Sequence, residues 1–319
     1  MKNWKFLICS ILISGLVATG CQPANSRMEP VIGYIPSPGR ISDLPSAFQP
    51  LSEMEGEQEW GKELLIGDVF AREWDFYRAI TCYKRALVLI PEEEVERRLQ
   101  IDYNIILCYY LGLKYQEAVN VFESSNLLHV NSLFPAFNNL LVILYECYQQ
   151  IGQYDKGCDL LETINKYSAE TADDLSLFWP LKKGDIPQAQ EAICSHRNFE
   201  TLQNDLDLYY QFAKSPRKAR TLNAILPGAG YYYVGQKNTA LTSFLINTLF
   251  TFASYQFFNR GYPAAGAIMA SMEMGWYLGG INGAGIEAEE FNNRLYEGAV
   301  RKTLVDHQLF PVLMFETSF

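Results

Sequence analysis

The residues through which this chain could do chemistry are few, and their spacing argues mostly against catalysis. His129, His196 and His307 lie far apart with no ligand-like spacing, whereas a zinc site needs clustered nitrogen and sulfur donors. Folding could still bring them together. Cys82, Cys108, Cys147, Cys158 and Cys194 sit within helical stretches where small apolar residues pack. Their odd number favours core thiols over a disulfide framework. Gly228, Gly230 and Gly235 superficially suggest a phosphate-cradling loop. No strand precedes them and no lysine follows in the required place. No serine or cysteine nucleophile with a paired base is legible. The expectation is therefore no catalytic residue, no metal and no cofactor, and a chain that is not an enzyme.

One carboxylate breaks a local rule. Thr239 to Phe258 carries no charge, and Tyr262 to Ile286 carries only Glu273. The two runs are joined by Asn259-Arg260-Gly261. About 20 uncharged residues is the length that a helix needs to cross a bilayer, so the pair predicts a transmembrane helical hairpin. The alternative is a buried helix pair in a soluble domain. An intramembrane Glu273 points by default to a role in transport or assembly; the competing account is a structural hydrogen bond to Asn247, Thr248 or a tyrosine. Gly266 and Ala270 have the four-residue spacing of a close helix seam, which would face the first helix or a second copy of the chain.

Leu226-Pro227-Gly228-Ala229-Gly230 through Gln236, and Glu273-Met274-Gly275-Trp276-Tyr277-Leu278-Gly279, together resemble a bacterial membrane module of unknown function. The stretch Asn282-Gly283-Ala284 and Glu290 to Arg294 fits the same pattern. The resemblance covers about a quarter of the chain and implies a module that often follows helical repeats, without implying an activity.

The elements that would position such a module come earlier. Lys2 and Lys5, an apolar run from Phe6 to Val17, and small residues ahead of Cys21 resemble a bacterial lipoprotein signal. That resemblance implies cleavage before Cys21 and lipidation there; an uncleaved anchor or an ordinary signal peptide is the alternative. Residues 22–56 are proline-rich and predict an extended tether, which at about 3.1 Å per residue could reach on the order of 100 Å. Residues 57–213 show helical periodicity. Gly67, Phe70, Phe76, Ala79, Tyr83, Ala86 and Pro91 are similar to the tetratricopeptide pattern, with fainter copies around Ala118, Gly157 and Ala189. Pro180 and Pro187 would truncate the last copy.

Repeat arrays of this type curve, and the first helix of each pair lines the concave face. By spacing, that face carries Asp68, Tyr103, Asn104, Tyr110, Asn139, Glu146 and Gln149. These residues would contact a protein or extended peptide, or merely solvate a groove. The paired Lys and Asn that clamp terminal carboxylates in the family are not found here. Residues 214–286 then hold a basic cluster (Lys214, Arg217, Lys218, Arg220) and the hairpin, and residues 287–319 form a helical tail.

The formal net charge is -10 and the pI about 4.9 over 319 residues. That excludes a nucleic-acid partner held by phosphate contacts. The expectation is an all-α chain, a tetratricopeptide helical solenoid followed by a transmembrane hairpin. It would be an envelope lipoprotein that scaffolds a protein partner, with the repeats on the periplasmic side. Membrane lipid would be engaged through Cys21 and the hairpin, and self-association would run through the Gly/Ala-rich helix. A small channel or transporter subunit is the rival. Replacing Cys21 (Cys21→Ala) is expected to abolish lipid attachment, and palmitate labelling that survives the change would remove the lipoprotein assignment.

Overall fold

The computed structural model describes residues 30–319, so Cys21 and residues 1–21 lie outside the described residues. The described chain is all-α. Among those residues, the pairing outside helices is one isolated parallel bridge between Ser46 and Ser318. The described chain divides into two compact units, residues 32–202 with 301–319, and residues 203–300 with residues 30 and 31.

The first unit begins with short helices α1 (Pro38–Ser42) and α2 (Glu53–Glu57). Four helix pairs follow. They are α3 (Glu59–Arg72) with α4 (Phe76–Leu89), α5 (Val95–Leu111) with α6 (Tyr115–Ser124), α7 (Phe137–Gln150) with α8 (Tyr154–Tyr167), and α9 (Ala169–Lys183) with α10 (Ile186–Ser195). Each second helix opens on a buried small residue: Ala79, Ala118, Gly157 and Ala189. There a side chain larger than a methyl would hold the helices apart. In the first pair the approach is so close that a Cβ on Gly67 would lie 2.5 Å from the Tyr83 ring. The turn within each pair passes through the left-handed region, at Trp74, Leu113, Gly152 and Gly184. Only the last two use glycine, the residue that adopts this conformation without steric cost. Asp75 and Asp185 cap α4 and α10 by accepting from the backbone N–H groups of Arg78 and Gln188.

The prolines do not truncate the fourth pair. Pro180 lies inside the last turn of α9, which ends at left-handed Gly184, and Pro187 sits in the first turn of α10, where its missing N–H has no partner to lose.

Part of the proline-rich segment is also not a bare tether. Ile32 and Ile41 are buried in this unit, and Phe48 packs its ring against Tyr103 and Phe134. Arg97 fastens the segment by donating to the Gln49 and Pro50 carbonyls at 2.7 and 3.1 Å and to the Glu55 carboxylate at 2.8 Å. The Arg97 and Ser52 hydrogen bonds hold the Glu55 carboxyl down to about 2. Proline composition suppresses regular structure, but it does not stop isolated Ile and Phe side chains from docking on a nearby apolar face.

The chain passes through α11 (Phe199–Phe212) into the second unit. There α12 (Pro216–Ile225) and the six-residue α13 (Ala229–Val234) pack with α14 (Lys237–Asn259) and with residues 263–300 of the long helix α15 (Pro263–Asp306). Buried Asn223 accepts from the Gly228 and Gly230 N–H groups at 2.8 and 3.3 Å. Gly228, at φ +91°, leaves no room for a Cβ against the Ala240 carbonyl, and Gly230 leaves none against the Ala219 carbonyl. These glycines serve close backbone packing around Ala219, Val234, Ala284 and Ala288. Much of the basic cluster is compensated internally: Arg220 pairs with Glu289 at 3.0 Å, and Lys214 and Lys218 lie over the Tyr233 ring.

The transmembrane hairpin is not what the helices support. Among the described residues, no helix is long and apolar enough to cross a membrane. Charge-free is not the same as apolar. Thr242, Ser243, Asn247, Thr248, Thr251, Ser254 and Gln256 dilute α14, and glycine with Glu273 dilutes the start of α15. Gly266 meets the Phe258 ring, and Ser254 donates to the Gly266 carbonyl at 2.9 Å, so this part of the seam faces α14.

Replacing Gly67 by alanine should destabilise the first unit by about 1–3 kcal/mol, the usual cost of overpacking, because Tyr83 is fully buried and cannot swing away. An unchanged thermal melt would mean that the Gly67–Tyr83 contact is absent.

Candidate functional site

Three hydrogen bonds between successive first helices share one interval. Asn104 donates to Asp68 at 3.2 Å, Asn139 to the Tyr103 hydroxyl at 3.4 Å, and Tyr110 to Glu146, each pair 36 residues apart. Lys182, the same interval beyond Glu146, reaches its carboxylate at 3.8 Å. An equal interval places equivalent side chains of stacked helix pairs side by side. Six of the seven residues expected on the concave face therefore join into a polar ladder along α3, α5, α7 and α9.

Residues 309–319, here the tail, engage this face. Asn139 Nδ2 donates to the Thr317 carbonyl and hydroxyl at 2.8 and 2.9 Å, and its Oδ1 accepts from the Glu316 N–H at 3.3 Å. Phe315 packs on Tyr110, and Phe310 on Phe178 and Tyr34. Arg72 donates to the Phe319 main-chain oxygen at 3.1 Å, and the Ser318 N–H to the Pro45 carbonyl at 2.9 Å. Leu309, Phe310, Val312, Leu313, Phe315 and Phe319 are all buried. The expected helical tail is thus helical only to Asp306. Beyond a 3₁₀ turn at Pro311–Leu313 it is irregular chain held by side chains.

The electrostatics of the face follow from burial. Burial pushes the Asp68 carboxyl up to about 6, against the opposing pull of Tyr83, Arg72 and Asn104. Tyr83 donates to Asp68 at 2.8 Å. Burial, with the Glu146 carboxylate beside it, drives the Tyr110 phenol well above its ordinary value, so it stays protonated and donates. Asn104 Oδ1 and Ser318 Oγ are buried without hydrogen-bond partners, a state that costs about 1–3 kcal/mol for each group.

Gln149 does not join the ladder; its carboxamide lies against Gly157 of α8. Glu273 belongs to the second unit, half-buried, with its Oε2 unpartnered. Close by in sequence, Gly275 and Gly279 face open space and line a hollow of about 550 Å³ with Ile246, Asn247, Met272 and Trp276. Of the five cysteines among the described residues, Cys82, Cys108 and Cys147 are the expected buried thiols, but Cys158 and Cys194 are exposed.

The spacing also missed a buried cluster. His196 Nε2 lies 2.8 Å from Asp174 Oδ1, Arg197 donates to Asp174 Oδ2 at 2.8 Å, and His196 Nδ1 accepts from the Asn198 N–H at 3.1 Å. Accepting at Nδ1 places the neutral ring's proton on Nε2. Both nitrogens are engaged, and the cluster ties the chain after α10 to α9. Among the described residues no group of histidine, cysteine and carboxylate side chains could hold a metal. Arg72 and the tail phenylalanines were also absent from the predicted site. Nothing in the spacing pointed to Arg72; the phenylalanines lie in a stretch, Phe310 to Phe319, that is rich in apolar residues.

A carboxyl raised by folding favours the folded state while protonated. For Asp68, that stabilisation is complete below the unfolded value near 4 and is lost as pH rises through about 6. Asp102, also pushed up to about 6 by burial, acts in the same window. Asp68→Asn is expected to stabilise the protein at pH 7 by on the order of 2 kcal/mol, since each tenfold change in proton affinity corresponds to about 1.4 kcal/mol. It should also flatten the slope between pH 4 and 6. Urea titrations at pH 4 and pH 7 check this; equal wild-type and variant slopes would contradict the buried carboxyl.

Comparison with known proteins finds no match to a family model, a curated protein or a solved structure.

Proposed function

We propose that this chain is a membrane-anchored envelope lipoprotein that scaffolds a protein partner through a tetratricopeptide-type solenoid, with the repeats on the periplasmic side. The observation that carries the proposal is how the concave face holds a non-helical segment. An asparagine brackets its main chain, an arginine takes a carbonyl, and aromatic rings seat its phenylalanines. Those are the means by which helical-repeat surfaces grip extended peptides, and they perform no chemistry on the bound segment. Cys21 supplies the lipid anchor in this proposal. The second unit supports residence at a membrane surface by the large apolar side chains it leaves exposed, among them Leu241, Leu245, Leu249, Phe252, Ile268 and Trp276. Such a patch on a soluble monomer marks an interaction surface.

The scaffold is tested by isolating full-length protein from detergent-solubilised envelope. A stoichiometric polypeptide recovered with the wild type and reduced at least about tenfold with Asn139→Ala is the expected result. A partner that remains bound moves the interaction off the concave face, and the absence of any stoichiometric partner removes the scaffold function.

A further inference from the structure

The end of the tail has the marks of a ligand as much as of a core element. It lies across successive first helices, meeting Arg72 of α3, Tyr110 of α5 and Asn139 of α7. In residues 315–319 the main-chain pairing with another segment is confined to the isolated bridge between Ser46 and Ser318, in which the Ser318 N–H donates to the Pro45 carbonyl. The other polar contacts come from the side chains of Asn139, Arg72 and Tyr103, so lifting these residues away breaks one isolated bridge and no helix or extended ladder.

The fit is also incomplete. Ser318 Oγ on the segment and Asn104 Oδ1 on the solenoid are buried and unpartnered, although buried polar groups are normally satisfied. Pro311, Val312 and Leu313, just before it, form a buried 3₁₀ turn. Half-buried Met314 separates the two parts.

We propose that Phe315–Phe319 is an exchangeable occupant of the concave face, and that the partner enters by displacing it with an extended segment of the same chemistry. This rests on the scaffold function and names its partner class and its control. The recognised segment carries an aromatic residue for the Tyr110 ring, a hydroxyl residue two positions on for Asn139, and a main-chain carbonyl two positions further for Arg72. A residue with a hydrogen-bond donor that reaches Asn104 Oδ1 would bind more tightly than the resident sequence. While Phe315–Phe319 is in place, the face is closed to partners.

The probe is a fluorescent peptide with the sequence of residues 309–319 and blocked ends, titrated against the full chain. Phe315→Ala weakens the resident segment and leaves the solenoid face intact. Thr317→Ala is a milder companion that keeps the chain folded if the first does not. The native peptide should bind either variant at least about tenfold more tightly than wild type, and a peptide carrying Phe315→Ala should lose that gain. Native-state hydrogen exchange of wild type provides a second measure, with the Glu316 and Ser318 amides expected to exchange much faster than those of α5 and α7.

Folded variants that do not bind the native peptide, or Glu316 and Ser318 amides as protected as α5, would overturn the proposal and make this segment fixed core. Failure of the scaffold function looks different: peptide exchange would persist while no partner is recovered from the envelope. A partner recovered equally well by wild type and Phe315→Ala would leave the scaffold standing and remove the displacement.

Discussion

The first unit turns on one carboxamide. Asn139 is buried at the middle of the helix stack and has two donor hydrogens and an acceptor oxygen to satisfy. The neighbouring Tyr103 satisfies only part of that demand; Glu316 and Thr317 supply the rest. A buried amide without partners is costly, so the stacked helices as built require some main chain across the face that Asn139 lines. Asp68 and Glu146 extend the same constraint to either side. Glu146 is a buried carboxylate and Asp68 a half-buried one, each drawn into the ladder by a tyrosine hydroxyl. The face is polar at its floor and aromatic at its walls, a combination suited to backbone and side chain together.

Much of the ladder was legible in the amino-acid sequence. Small residues at Gly67, Ala79 and Ala118 signal close helix crossings, and helical spacing assigned Asp68, Tyr103, Asn104, Tyr110, Asn139 and Glu146 to one face. What covers that face was not legible. Spacing within a helix says which side chains share a side, but nothing about which segment 178 residues away in sequence will lie on it. Gln149 fell outside because it sits at the far end of α7, where the helix turns its side chain toward Gly157. The Asp174–His196 pair was invisible for the same reason as the tail: only folding brings its members together.

The second unit shows a different limit. Counting charges over 239–286 ignored how many uncharged residues there are polar, and the helices that result are not apolar enough to span a bilayer. The glycines that suggest a phosphate loop instead let α13 nest against α12, α14 and α15, with Asn223 closing the turn from beneath. Arg220 is matched by Glu289 on α15, so the cluster is less basic than its sequence looks.

The sequence distance between Asn139 and Thr317 has a consequence in time. A ribosome adding about 5–20 residues per second needs on the order of 10–40 s to traverse the 178 residues that separate them. Through that interval α3 to α10 can pair locally, each helix on the next, while Asn139 and Arg72 still lack the segment that completes them. The nascent helix stack is therefore open before it is closed, and its Asn139 face waits on the last residues made.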